Sequence, residues 1–209
     1  MIYLSTFFLI GGLYLIAAAS PGPNFFIISQ LSLAGERHRA CLVAAGITAG
    51  STLWASSAMA GLAALLLHVS WLSFGLKLAG AAYLVWYGLK LLRSAGKQGV
   101  EVPADTQHVP TTGHAFRTGL LTSLTNPKSG VFWTSVFATT LPVGAPLWVY
   151  MATALMIAML SATWYVGIAL VFTAWPIQGA YRRLRRPIDA ACGAVLVLLG
   201  LRLGFARQG

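Results

Sequence analysis

The sequence predicts an all-α integral membrane protein. Six transmembrane helices are expected as two inverted three-helix repeats in which the first and fourth helices are broken. Three observations lead there. Of 209 residues, 57% are hydrophobic and only 9% charged, and the mean hydropathy of +0.75 lies far above that of soluble domains. Stretches such as "CLVAAGITAGSTLWASSAMAGLAALLL" are continuously apolar rather than alternating, which excludes a barrel. Charged residues are segregated: none precedes Glu36 and none falls between Lys128 and Arg182. A bilayer core about 30 Å thick takes roughly 20 residues per helix, so a chain of this length supplies about six spans and little else.

Spans are expected at about 3 to 33 (interrupted), 41 to 66, 71 to 92, 115 to 140, 147 to 174 and 188 to 205. The apolar start offers an Ala-x-Ala site in "LIAAAS", but it lacks a basic n-region and places a proline just after the cut. It reads as the first span rather than a signal peptide. As one helix it would extend about 45 Å, well beyond the bilayer core. "SPGPN" resolves this: Pro21 and Pro23 each remove a backbone donor at roughly 3 kcal/mol, and Gly22 gives no helix support. The helix should stop near Ser20 and restart near Asn24. Broken backbone at membrane depth is tolerated only against protein or a water-filled cavity, so the break marks an interior path.

The second half repeats the device. Asn126, Pro127 and Lys128 lie about ten residues into the fourth span. A lysine there costs roughly 2.5 to 3.5 kcal/mol and should face the interior beside a polar partner; a proline kink with a snorkelling lysine is the plain alternative. Two interrupted spans in corresponding positions divide a single transmembrane domain, 1 to 209, into repeats of about 1 to 93 and 115 to 205, with a polar cytoplasmic linker at about 94 to 114.

Basic residues occupy alternate loops: Arg37 and Arg39; Lys90, Arg93, Lys97 and Arg117; then Arg182, Arg183, Arg185 and Arg186. The positive-inside rule makes these cytoplasmic and turns both termini outward, with Arg202 and Arg207 the charges against it. The same distribution accounts for the net charge of +10. It reads as topology and contact with anionic membrane lipid, with no nucleic-acid motif present. Cys41 and Cys192, both at expected cytoplasmic span ends, suggest no disulfide. Gly46 and Gly50, like Gly200 and Gly204, have GxxxG spacing, which serves close packing within the subunit or a homodimer contact. Trp71, Trp148 and Trp175 sit near span ends as interfacial anchors do, whereas Trp54, Trp86, Trp133 and Trp164 lie deeper.

"SPGPNFFIIS" at 20 to 29, "GITAG" at 46 to 50, "LKLAGAAYLVWYGLKLLR" at 76 to 93 and "GLLTSLTNPKSGVFW" at 119 to 133 together resemble the helix signatures of the LysE/RhtB family of bacterial amino-acid exporters. The likeness spans essentially the whole chain. With "YRRLRRPIDAACGA" near the end, it is most similar to the threonine and homoserine exporters. The resemblance implies a multi-pass inner-membrane secondary transporter that exports small amino acids, usually coupled to the proton gradient; no cofactor or metal is expected. An enzyme is disfavoured because no His lies mid-span, no G-x-S-x-G occurs and Lys128 beside Ser129 is a weak nucleophile and base pair.

A zwitterionic substrate needs donors for its carboxylate and acceptors for its ammonium. Lys128 and the N-H groups following Pro23 suit the first; Asn24, Asn126 and carbonyls released by the prolines suit the second. Pro21, Gly22 and Pro127 shape the site, and Gln30 and Thr48 are further candidates. Many threonine and homoserine exporters have Asp where this chain has Asn24, which cannot titrate. Glu36, Glu101 and Asp105 fall in loops, so Asp189 is left as the proton-coupling candidate, with a helix-start acid paired to Arg185 or Arg186 as the plain alternative. Other substrates of the same class (leucine, lysine or arginine, cysteine-like) remain open. A metal-ion exporter is disfavoured by the absence of intramembrane Cys, His or carboxylate clusters.

Overall fold

The computed structural model describes residues 2–20, 22–68, 70–95, 112–141, 144–172 and 175–205. Eight α-helices occur among them: α1 Ile2–Ala19, α2 Pro23–Leu33, α3 Arg37–His68, α4 Ser70–Ala95, α5 Ala115–Thr125, α6 Pro127–Thr140, α7 Leu147–Val171 and α8 Trp175–Phe205. No strand is present in the described residues. Pro21, most of the linker with Lys97, Glu101 and Asp105, and Arg207 lie outside the described residues, as do the side chains of Trp71, Trp175, Arg182, Arg183 and Arg185 and residue Gly204 beyond its helical backbone.

Both breaks fall where proline demands them. α1 ends at Ala19, and α2 begins with Pro23 at its first turn after an extended Gly22 (φ −157°, ψ −178°). A proline at this position loses only a donor that has no helical partner anyway. α5 and α6 are separated by the single residue Asn126, extended at φ −72° and ψ 106°, with Pro127 opening α6. The residue before a proline is driven out of the α region, which sets the break one residue ahead of it. The turn from α2 to α3 is closed by Gly35 at φ 78°, with the Glu36 amide donating to the Leu31 carbonyl at 2.9 Å.

The sixth segment departs from expectation. α8 starts at Trp175 and runs unbroken through Pro187, so the basic run 182–186 is helical rather than a connecting loop. Arg and Leu are good helix formers, and Pro187 forfeits one bond, to the carbonyl four residues earlier, where exposed neighbours such as Arg186 leave water to replace it.

On length and apolarity, Arg37–Gly61 and Leu147–Val171 qualify as membrane spans, and the bent pair Tyr3–Ala19 with Pro23–Leu33, 56° apart, adds a third. The other helices carry charges that lower their hydropathy: Lys77, Lys90 and Arg93 in α4, Arg117 and Lys128 in α5 and α6, and the basic run in α8. Large apolar side chains point outward along the molecule, among them Phe8, Leu147, Met151, Leu198 and Phe205, as a lipid-facing surface requires.

Two buried clusters make up the interior. One joins α1, α4 and α6 through Ile10, Leu13, Leu84, Trp133, Val136 and Phe137. The other joins α2, α3 and α7 through Phe25, Ile28, Val43, Ile47, Ile168 and Ala169. The bend between α1 and α2 hands the chain from the first cluster to the second.

Glycines set the closest helix approaches. A Cβ on Gly46 would strike the Phe116 carbonyl, and one on Gly119 the Val43 carbonyl, so α3 and α5 touch backbone to backbone. α4 and α8 cross reciprocally: a Cβ on Gly88 would lie 2.6 Å from the Gly193 carbonyl, and a Cβ on Gly193 the same distance from the Gly88 carbonyl. Gly50 and Gly200 are likewise spent on contacts within the chain, against Ser123 and Ala81.

Candidate functional site

The two helix breaks meet. A cavity with about 450 Å³ of unfilled space, part of it open to the exterior, lies between them. Gly22 and Asn24 from the first break and Asn126 and Lys128 from the second line it, with Ser20 and Ala17 at the end of α1. Phe25, Phe132 and Trp133 supply aromatic walls.

Lys128 bridges the breaks. Its ammonium donates to the Ala17 carbonyl at 3.0 Å and reaches the Ser20 carbonyl at 3.5 Å. In an unbroken helix the Ala17 carbonyl would accept from residue 21, a proline with no N-H, so the lysine serves an acceptor that the sequence itself orphans. The same ammonium stands 5.0 Å from the centre of the Tyr87 ring, a cation–π contact. Tyr87 in turn shares a hydrogen bond of 3.0 Å with the Ser20 hydroxyl. Asn126 fixes the lysine's backbone: its Oδ1 accepts from the Lys128 amide at 3.0 Å, capping α6.

Asp189 on α8 is 2% exposed and acts electrostatically on Lys128, Tyr87 and Cys192. A cation and an acid from separate helices thus share one buried region, as burial of either requires.

Asn24 is 6% exposed, and its Oδ1 makes no hydrogen bond, while its side chain faces Tyr165. Such an orphaned acceptor at a cavity wall is costly unless a ligand uses it. Gln30 and Thr48 are not among the cavity's lining residues; Gln30 is half-buried further along α2, and the Thr48 hydroxyl is buried on α3 without a hydrogen bond. Pro127 opens α6 beside the cavity. No group of three or more His, Cys, Asp or Glu side chains with metal-binding geometry occurs among the described residues.

Four lining residues, Tyr14, Ser20, Ser51 and Tyr165, escape the sequence reading, as does Tyr87, which contacts Lys128 and Ser20. Prolines and charges drew that reading, whereas a tyrosine in an apolar helix looks like core. The available signal was a polar-tipped aromatic at mid-span, which needs a partner for its hydroxyl where no water is at hand.

Comparison with known proteins is consistent along the whole chain. The sequence profile described as LysE type translocator matches residues 15–207. The "Threonine efflux protein" of Escherichia coli (strain K12) is 31% identical over 205 residues, 98% of this chain and 100% of that protein. Its namesake in Salmonella typhi is 33% identical over 211 residues, with the same coverage. The "Homoserine/homoserine lactone efflux protein" of Salmonella typhi is 33% identical over 137 residues, 64% of each chain. No solved structure matches the chain. The chain is a helical membrane protein and belongs to the LysE type translocator family.

Proposed function

We propose that this protein exports small neutral amino acids of the threonine and homoserine type from the bacterial cytoplasm across the inner membrane, driven by inward proton movement. The observation that carries this reading is the Lys128 ammonium held on the Ala17 and Ser20 carbonyls in a cavity between two broken helices. The names of the similar proteins, two threonine efflux proteins and a homoserine efflux protein, support the substrate class.

Binding proceeds by exchange of ionic partners. An entering carboxylate draws Lys128 off the two carbonyls, and the substrate ammonium takes the acceptors so released, with Asn24 Oδ1 and Asn126 beside them. Each charged group is satisfied before and after, so a zwitterion enters the site at small net electrostatic cost. Losing its hold on Ala17 and Ser20 frees α1 to move against α6, which is the motion alternating access needs.

Asp189 is the proton carrier in this scheme. It answers to the charge of Lys128, so taking a proton on Asp189 loosens the lysine and links proton entry to substrate release.

Six spans in two inverted repeats, with both termini outward, complete the reading. Helix packing supports the repeat: α3 packs on α7 and α4 on α8, while α1 and α2 pack on α7 as α5 and α6 pack on α3. An axis exchanging the halves pairs these same elements, and the reciprocal Gly88 and Gly193 contact would lie on it. Counterflow in proteoliposomes with threonine, homoserine, leucine and lysine tests the function. Exchange of threonine and homoserine is expected, and no exchange across the panel would refute it.

A further inference from the structure

Besides the Lys128 latch, the cavity has a second polar wall that the exchange of ionic partners leaves unused. Tyr14 from α1, Ser51 from α3 and Tyr165 from α7 line the cavity. Ser161, one turn before Tyr165 on α7, faces Tyr14. These four are 5%, 3%, 6% and 0% exposed in that order. The Tyr14 ring is stacked on Trp133 with centroids 5.3 Å apart, and Trp133 on Phe137 at 5.4 Å, so the hydroxyl is held in place. Although Tyr14 faces Ser51, Ser161 and Tyr165, neither its hydroxyl oxygen nor that of Ser161 makes a hydrogen bond of proper geometry. Unsatisfied buried hydroxyls are expensive to keep; Tyr14 stands at the cavity wall, and Ser161 is fully buried behind it.

The chemistry of this wall is selective. A hydroxyl both donates and accepts, so a neutral cluster of hydroxyls complements another hydroxyl. It offers no counter-charge to a guanidinium, ammonium or carboxylate side chain, whose desolvation would go uncompensated. The buried acid, Asp189, acts on Lys128, Tyr87 and Cys192 rather than on Tyr14 or Tyr165. We propose that Tyr14 is the side-chain subsite, hydrogen-bonding the hydroxyl of a β- or γ-hydroxy amino acid and selecting it over the apolar isostere, with Ser161 behind it as the residue that positions its hydroxyl. The assignment rests on the export reading above and names the specificity residues of that site. The physical basis is that a site built around hydroxyl partners penalises an analogue that leaves them unpaired far more than an apolar pocket penalises an extra hydroxyl.

The test is counterflow by the full chain in proteoliposomes loaded with threonine or with valine, which differ by a hydroxyl for a methyl. The wild type should exchange threonine at least about tenfold better than valine. Tyr14→Phe should cut that ratio about tenfold, mainly through the threonine half-saturation concentration, and Ser161→Ala should cut it severalfold. Ser161→Ala removes one small hydroxyl from the interior, so it remains informative if Tyr14→Phe fails to fold. A wild type that exchanges threonine and valine equally, or variants that lower both substrates in parallel, would overturn the subsite while leaving amino-acid export standing. A wild type that exchanges no amino acid would overturn the export reading and the subsite together.

Discussion

The Lys128 ammonium donates to the Ala17 carbonyl across 3.0 Å, joining residues 111 positions apart in sequence at the ends of two interrupted helices. Ala17 is available because Pro21 has no N-H to offer it. Lys128 is near because Asn126 and Pro127 restart α6 just before it. Each break supplies what the other lacks, an acceptor in one case and a donor in the other.

Tyr87 supports this latch from α4 through two separable contacts. Tyr87→Phe removes the 3.0 Å bond to Ser20 but keeps the ring under the lysine, so stability should fall by about 0.5 to 1.5 kcal/mol. Tyr87→Leu loses both contacts and should lower the unfolding temperature further and reduce threonine exchange more. Thermal unfolding in detergent alongside counterflow separates the two; equal behaviour of the variants would remove the cation–π contact from the account.

The α4 and α8 crossing makes a prediction about assembly. Gly88→Ala puts a methyl 2.6 Å from the Gly193 carbonyl, and backbone cannot step aside as a flexible side chain does. A loss of about 1 to 3 kcal/mol is expected, read as a lower unfolding temperature and a smaller monodisperse fraction. Gly12→Ala, with nothing within 4 Å of the added carbon, should be neutral.

Asp189→Asn tests the coupling. Exchange of threonine for threonine should persist, because it requires no net proton movement, whereas uphill accumulation driven by an imposed pH gradient should be lost. Retained gradient-driven transport would move the proton carrier elsewhere.

Much of this arrangement was legible in the sequence because prolines act locally. "SPGPN" and "NPK" specify helix ends by removing donors and fixing φ, whatever surrounds them, and both breaks fall within a residue or so of where the sequence puts them. The inward-facing placement of Lys128 was legible as well, because a charge in an apolar run has to turn inward. The start of α8 was not, since Pro187 signals a boundary that good helix formers on its N-terminal side override. Tyr14, Tyr87 and Tyr165 were missed because their roles depend on which helices pack together. Periodicity gives the face a tyrosine occupies but not the hydroxyl, lysine or cavity across from it.

The central claim is that the lysine between the two breaks binds the substrate's carboxylate, and threonine counterflow by Lys128→Met in proteoliposomes tests it most directly. Methionine keeps a long unbranched stem without the ammonium. The account predicts a folded, monodisperse protein whose threonine exchange falls at least about a hundredfold, as expected when a buried charged partner is removed. Full exchange by that variant would contradict it.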